Sequence, residues 1–377
     1  MTPYPTHEFP KFVEYNGYFI DTRSGVISSS TKFYDWELLK NFIGQDVYWH
    51  SRGFQDNDDL PLGHRAYVVK VEGPDTDWIE QQSTKIAAPI FIINGIINDY
   101  GAVAHLSNVT WLPWIEWHYQ IRSMLRDYSP SVHKNIKKKI SCLSRMVRLN
   151  RMIAMAAVKT YFGTDAMISW HGCCYRPGDA LQSQTGHAEF DQWLARYYDM
   201  SITTLHIDDF QMQYDVALRH DQDLFQRHTH DFHFDAYQQC AINVTNESFY
   251  TSGQRLHGID ITRPGPFLTE KTLKCLLGET AFIANGNFQT YHTLETLGFK
   301  FDYKLDLGYD QISSDLNRLC SMTDVLKTIS DIDTMDLFQC TRSSCLANKE
   351  HIMSGKFFNI CENINEQTVQ QILTNIS

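Results

Sequence analysis

A chain of 377 residues has room for two domains of ordinary size. Apolar residues make up 43% and charged residues 20%, a globular composition that excludes a disordered or fibrous protein. The formal net charge of −11 excludes a surface that is basic throughout, so a polyanion would have to be met by a local patch.

The longest apolar runs, 87–97 and 152–158, have the length of core elements and fall short of a membrane span. The start, Met-Thr-Pro-Tyr-Pro-Thr-His-Glu, has neither the basic region nor the apolar stretch of a signal peptide. The 9 Cys follow no even framework, which fits free thiols and a cytoplasmic location, the host cytoplasm if the protein is viral. Aromatics reach 13%, which suits a cleft that handles sugars or bases and equally suits a well-filled core.

Residues 1 to about 60 read as irregular, with short β-like pieces at Tyr18, Gly25 and Asp46. The first firm strand is Ala66–Val71, ending at Glu72-Gly-Pro-Asp75, a turn that opens a helix running through Ile86. A buried strand at 89–93 follows, and strand, helix, strand implies a parallel pair. Trp111, Trp114 and Trp117, with His118, lead into a helix over 119–128, and Ser129-Pro-Ser131 is the best linker. Beyond it, 128–164 contains no Asp or Glu but carries Lys134, Lys137, Lys138, Lys139, Arg145, Arg148, Arg151 and Lys159. Within this basic stretch Ile140-Ser-Cys-Leu143 reads as a strand and 145–161 as a long helix. Strands follow at 167–170, 241–245 and 281–286, with a His-rich helical region at 186–240, a helix over 315–329 and amphipathic helices after 331.

Chemistry concentrates behind Phe267-Leu-Thr-Glu-Lys-Thr-Leu273. Thr269 is placed to cap a helix whose first turn holds Glu270 and Lys271, where unpaired N–H groups and the helix dipole attract anions. An ordinary capped helix explains the same residues. The basic segment Arg145–Arg151 and the strand end Asn246-Glu247-Ser248 are the company that makes a diphosphate site the stronger reading. In a doubly wound sheet, ligands sit beyond the carboxyl ends of the strands.

Asn246-Glu-Ser248 followed by Phe267-Leu-Thr-Glu-Lys-Thr-Leu273 resembles the donor-domain signature of the α1,3-fucosyltransferases and related inverting GT-B glycosyltransferases. Thr269-Glu-Lys-Thr272, Gly298-Phe-Lys300 and Tyr309-Asp310 are also similar to uncharacterised glycosyltransferase-like proteins of viruses and bacteriophages. The resemblance covers roughly 140–320 and is weak over the first 130 residues. It implies an α/β, GT-B-like fold of two Rossmann-like domains flanking a cleft. The acceptor-side domain would span 1–130 and the nucleotide-sugar domain 131–330, with 331–377 a helical tail packed back across the junction. It further implies that Glu270 binds the donor ribose and Lys271 a phosphate. Arg145, Arg148, Asn246, Glu247 and Thr269 complete the donor side. Transfer without a metal or other cofactor then rests on fixed cations and a helix dipole. Glu72 is the candidate base, since Glu72-Gly-Pro74 is similar to the family's segment at that position. Trp114, Trp117 and His118 are candidate acceptor contacts, with core packing the equal alternative. The acceptor would be a glycan or, given the viral look-alikes, a hydroxylated base in DNA.

Rival signals are weaker. His228, His230 and His233 match no standard ligand spacing. Asp221-Gln-Asp223 and Asp331-Ile-Asp333 imitate the metal motif of another glycosyltransferase class. Cys340, Cys345, His351 and Cys361 imitate a loose zinc knuckle. The alternative from another class is a non-catalytic nucleic-acid or polyanion binder using the patch at 134–151.

Overall fold

The computed structural model describes residues 14–15, 18–19, 46–52, 58–71, 76–95, 103–115, 117, 121, 134–144, 149–170, 235–247, 254–256, 259–261, 266 and 268–376. The chain is α/β, built on two four-stranded sheets in which every pairing is parallel. Two short antiparallel pairs stand apart from them. One joins β1 (Glu14–Tyr15) and β2 (Tyr18–Phe19) near the start.

The first sheet runs in chain order: β3 (Val47–Arg52), β4 (Ala66–Val71), β5 (Ile90–Asn94) and β6 (Val109–Pro113). Helix α1 (Thr76–Lys85) links β4 to β5, as the strand–helix–strand pattern predicts. The Val47 strand, read from sequence as a stray β-like piece, is the edge of this sheet. Because the strands are laid down in one direction, right-handed crossovers put every connection on one face. Leu60, Trp78, Ile79 and Val103 from the three connections accordingly pack on Tyr67, Val69, Ile90 and Ile92. The alternate residues, Ala66, Val68, Phe91, Ile93 and Leu112, point to the opposite face.

That opposite face is covered from far along the chain. Helix α8 (Lys356–Ile376) lays Val369, Ile372 and Ile376 onto it. Asn365 accepts from the Ile115 N–H at 2.8 Å and donates to its carbonyl at 2.9 Å. Thr368 donates to the Pro113 carbonyl at 2.6 Å, and Arg65 to the Ile376 carbonyl at 2.8 Å.

The second sheet has the order β12-β9-β7-β8, formed by β7 (Lys138–Ser144), β8 (Ala166–Trp170), β9 (Cys240–Asn246) and β12 (Ala281–Asn285). Strands β9 and β12 are buried at every position; β12 accordingly reads as a near-continuous apolar run, whereas β9 buries Asn243, Thr245 and Asn246 among its apolar residues. Here the chain starts in the middle, steps one way to β8, and then returns past β7 to β9. Helix α2 (Leu149–Phe162) therefore lies on one face with α6 (Asp315–Ser330). Helices α4 (Glu270–Leu277) and α7 (Thr334–Met353) pack on the other side of the sheet. Helix α3 (Asp235–Gln239) leads into β9, and α5 (Thr290–Thr296) follows β12. Between β9 and α4 in the chain, β10 (Gln254–Leu256) and β11 (Ile259–Ile261) form the other antiparallel pair. The first half of α8 joins this core through Phe357, Phe358 and Cys361. Among the described residues no helix is long and apolar enough to cross a membrane.

Candidate functional site

The direction of chain winding reverses between β7 and β9, and in open parallel sheets such a reversal opens a crevice beyond the carboxyl ends of the two strands. Glu247 stands at its centre, directly after β9, and is 1% exposed. Its backbone N–H donates to the Asn285 carbonyl at 3.1 Å, and its own carbonyl receives the Arg151 guanidinium at 3.0 Å. Its carboxylate accepts from two hydroxyls, Thr269 Oγ1 and Thr272 Oγ1, each at 2.5 Å. Both threonines belong to the start of α4. Thr269 caps the helix, its oxygen also accepting from the Lys271 backbone N–H at 3.4 Å and from Lys271 Nζ at 3.1 Å. Glu247 thus ties the first turn of α4 to the end of β9, with the Lys271 ammonium held at that turn through Thr269. Its carboxylate oxygens are engaged internally, so its part is to position the helix start rather than to contact a sugar.

Asn246 ties three strands together. Its Nδ2 donates to the Leu143 carbonyl at 3.1 Å, and its Oδ1 accepts from Asn285 Nδ2 at 2.6 Å. It is 1% exposed, so it builds the floor of the crevice. Gly286 lies close beside it. A Cβ there would sit 3.3 Å from Glu247 Cβ and Cγ and from Thr290 Oγ1, a tight fit that these neighbours would have to accommodate by a few tenths of an ångström. The neighbouring Cys142 thiol is pushed up to about 12 by burial, so it stays protonated and is no nucleophile.

Sequence reasoning missed three members of this floor: Asn150, Asn285 and Thr272. The available signal was polar residues interrupting apolar runs, as in Ile283-Ala-Asn-Gly-Asn287. Glu270 opens α4 as its first helical residue. Glu72, Arg145, Arg148 and His118 lie outside the described residues, as do His228, His230, His233, Asp221 and Asp223.

Other sites read from the sequence are corrected. Trp114 and Trp117 are 2% and 4% exposed, packed into separate apolar clusters, so neither offers an open ring face to an acceptor. The basic run is split by β7, whose seven residues put roughly 20 Å between its two ends. At the amino end, Lys134 Nζ donates to the Tyr237 carbonyl at 2.5 Å and to Thr280 Oγ1 at 2.8 Å. Lys138 and Lys139 donate to the carbonyls of Thr164 and Ser330. These lysines lie at the end of the sheet opposite the crevice and form no continuous stripe with Arg151. Burial lowers the Lys134 ammonium to about 8. Asp333 caps α7, accepting from the N–H groups of Met335 and Asp336. The imagined zinc knuckle dissolves likewise: His351 Nε2 is 2.8 Å from the Leu297 carbonyl, and Cys345 and Cys361 are buried and in no disulfide. Among the described residues no three His, Cys, Asp or Glu side chains gather as metal ligands.

Compared with protein-family models, with curated proteins and with solved structures, the chain matches none.

Proposed function

We propose that the protein is a glycosyltransferase that moves a sugar from a nucleotide-diphosphate donor to an acceptor hydroxyl. The reading takes the two parallel sheets as Rossmann-like domains in a GT-B arrangement, with the second sheet binding the donor. The observation that carries it is the start of α4, anchored by Glu247 at the point where strand order reverses, with Lys271 in its first turn. An N-terminal helix turn plus an ammonium stabilises a departing diphosphate without proton transfer. Glu270, Arg145 and Arg148 are assigned to the same ligand by the family resemblance. Glu72, directly after β4, is assigned as the base of an inverting transfer on the same ground. The acceptor, a glycan or a hydroxylated nucleobase, would enter from the first sheet's side.

The rival reading, a polyanion binder using 134–151, is weakened by the strand that divides that run. The test is a thermal-shift screen of the full chain against UDP-, GDP- and dTDP-sugars, repeated on Lys271→Ala. A ligand that binds only the folded state raises the melting temperature. The reading expects at least one donor to raise it in the parent and Lys271→Ala to lose that rise. It is overturned if no donor acts, or if the variant responds as the parent does. Salt-sensitive DNA retention that survives Lys271→Ala would favour the rival.

A further inference from the structure

We infer that the crevice floor carries a recognition pair, Asn150 and Asn285, for one neutral hydroxyl of the bound ligand. The inference rests on the nucleotide-sugar reading and adds to it a contact on α2. Asn150 is the second residue of α2 and is 4% exposed. Its side-chain Nδ2 has no hydrogen-bond partner. Asn285 ends β12 and is fully buried. Its Nδ2 donates to the Asn150 carbonyl at 3.0 Å and to Asn246 Oδ1 at 2.6 Å. Those bonds fix the carboxamide's orientation, because the flipped amide would set its oxygen against two other oxygens. Asn285 Oδ1 is therefore an acceptor, and it too has no partner.

One unmet donor and one unmet acceptor thus lie buried on residues that touch each other. Buried polar groups are ordinarily paired, and leaving them unpaired costs stability. Asn285 Oδ1, whose sense is fixed, selects what completes it: a phosphate oxygen would be repelled there. A hydroxyl accepts from Asn150 Nδ2 and donates to Asn285 Oδ1. The pair adjoins the proposed diphosphate site directly, since Arg151, next in sequence to Asn150, bonds the Glu247 carbonyl. The ribose and the transferred sugar both supply hydroxyls beside a diphosphate.

Asn150→Ala separates these possibilities, because the Asn150 side chain makes no internal hydrogen bond to lose. Removing an unmet buried donor from a helix, in favour of the best helix former, should leave the ligand-free melting temperature unchanged or raised. Calorimetric titration of the full chain would use UDP, UDP-glucose, GDP, GDP-mannose, dTDP, dTDP-glucose and inorganic diphosphate. The expected result is about tenfold weaker binding of the hydroxyl-bearing ligand, about 1.4 kcal/mol, with inorganic diphosphate unchanged. Equal weakening of the nucleotide and its sugar conjugate assigns the hydroxyl to ribose; weakening of the conjugate alone assigns it to the sugar. If Asn150→Ala binds as the parent does, loses inorganic diphosphate equally, or melts several degrees lower, the pair is not a recognition site and the donor reading stands. If the parent binds none of these probes, the donor reading itself fails.

Discussion

Asn365→Ala tests how the last helix holds the first sheet. Asn365 is 1% exposed and Ile115 is fully buried, so the two hydrogen bonds between them are shielded from water. Truncation leaves the Ile115 N–H and C=O without partners. Each stranded buried group costs about 1–3 kcal/mol, so the sum is about 2–6 kcal/mol. That is a large share of the roughly 5–15 kcal/mol that holds an ordinary domain together. Urea unfolding gives the global loss, and hydrogen exchange with mass analysis locates it. Exchange should quicken in peptides covering 109–117, while those covering 270–285 keep their protection. Asn365→Asp keeps the acceptor and loses the donor, and should regain part of its stability as acid protonates the new carboxyl. Stability within about 0.5 kcal/mol of the parent, a change no larger than that of a typical surface substitution, would refute the argument.

Three further substitutions probe the second unit. Gly298 has φ +90, and a Cβ there would sit 2.6 Å from His351 Cε1, so Gly298→Ala should cost about 2–3 kcal/mol by calorimetry; an unchanged melting temperature would refute this. Glu279 accepts from Lys349 at 2.5 Å and from Arg342; burial pushes its carboxyl up, but Lys349 and then Arg342 outweigh burial and hold it below the ordinary 4.5. Its stabilisation is present above pH 4.5 and is lost as pH falls through the lowered value. Glu279→Gln should therefore cost about 3 kcal/mol at pH 7 and progressively less in acid, and a pH-independent difference contradicts it. Burial raises the Asp310 carboxyl to about 7 from 3.8, against the N–H groups of Tyr291 and Thr290 that pull it down. Between those values the folded state holds a proton that the unfolded state has released, so stability falls as pH rises, by at most about 1.4 kcal/mol per pH unit. Asp310→Asn should remove that slope, and parallel stability curves would count against it.

Much of the second sheet is legible in sequence because its strands β9 and β12 are buried at every position. Runs such as Ala281–Asn285 need no partner to be read as strands, and Thr269 announces its helix through the cap alone. What is not legible depends on distance along the chain. The Val47 strand, Val-Tyr-Trp-His-Ser-Arg, has neither a continuous apolar run nor a polar–apolar alternation, and it gains its identity only by pairing with β4. Trp114 looks like a binding residue until helix α8, about 250 residues downstream, is seen to cover its surroundings. Lys134 and Arg151 look like one patch because sequence proximity hides the length of the strand between them. The Asn150–Asn285 contact, between residues 135 apart, leaves no local pattern at all.

The one-directional strand order of the first sheet also dictates a timetable. Its connections clothe one face as they are made, but the other face waits for residues 365–376. Until Asn365, 250 positions beyond Ile115, and the rest of α8 have been translated, Val68, Phe91, Ile93 and Leu112 lack the cover that Val369, Ile372 and Ile376 give them. The second sheet takes Phe357, Phe358 and Cys361 from the first half of the same helix, so its core closes only slightly sooner. The sheet that emerges first is thus the one that finishes last, and the one helix that ends the described chain closes both cores.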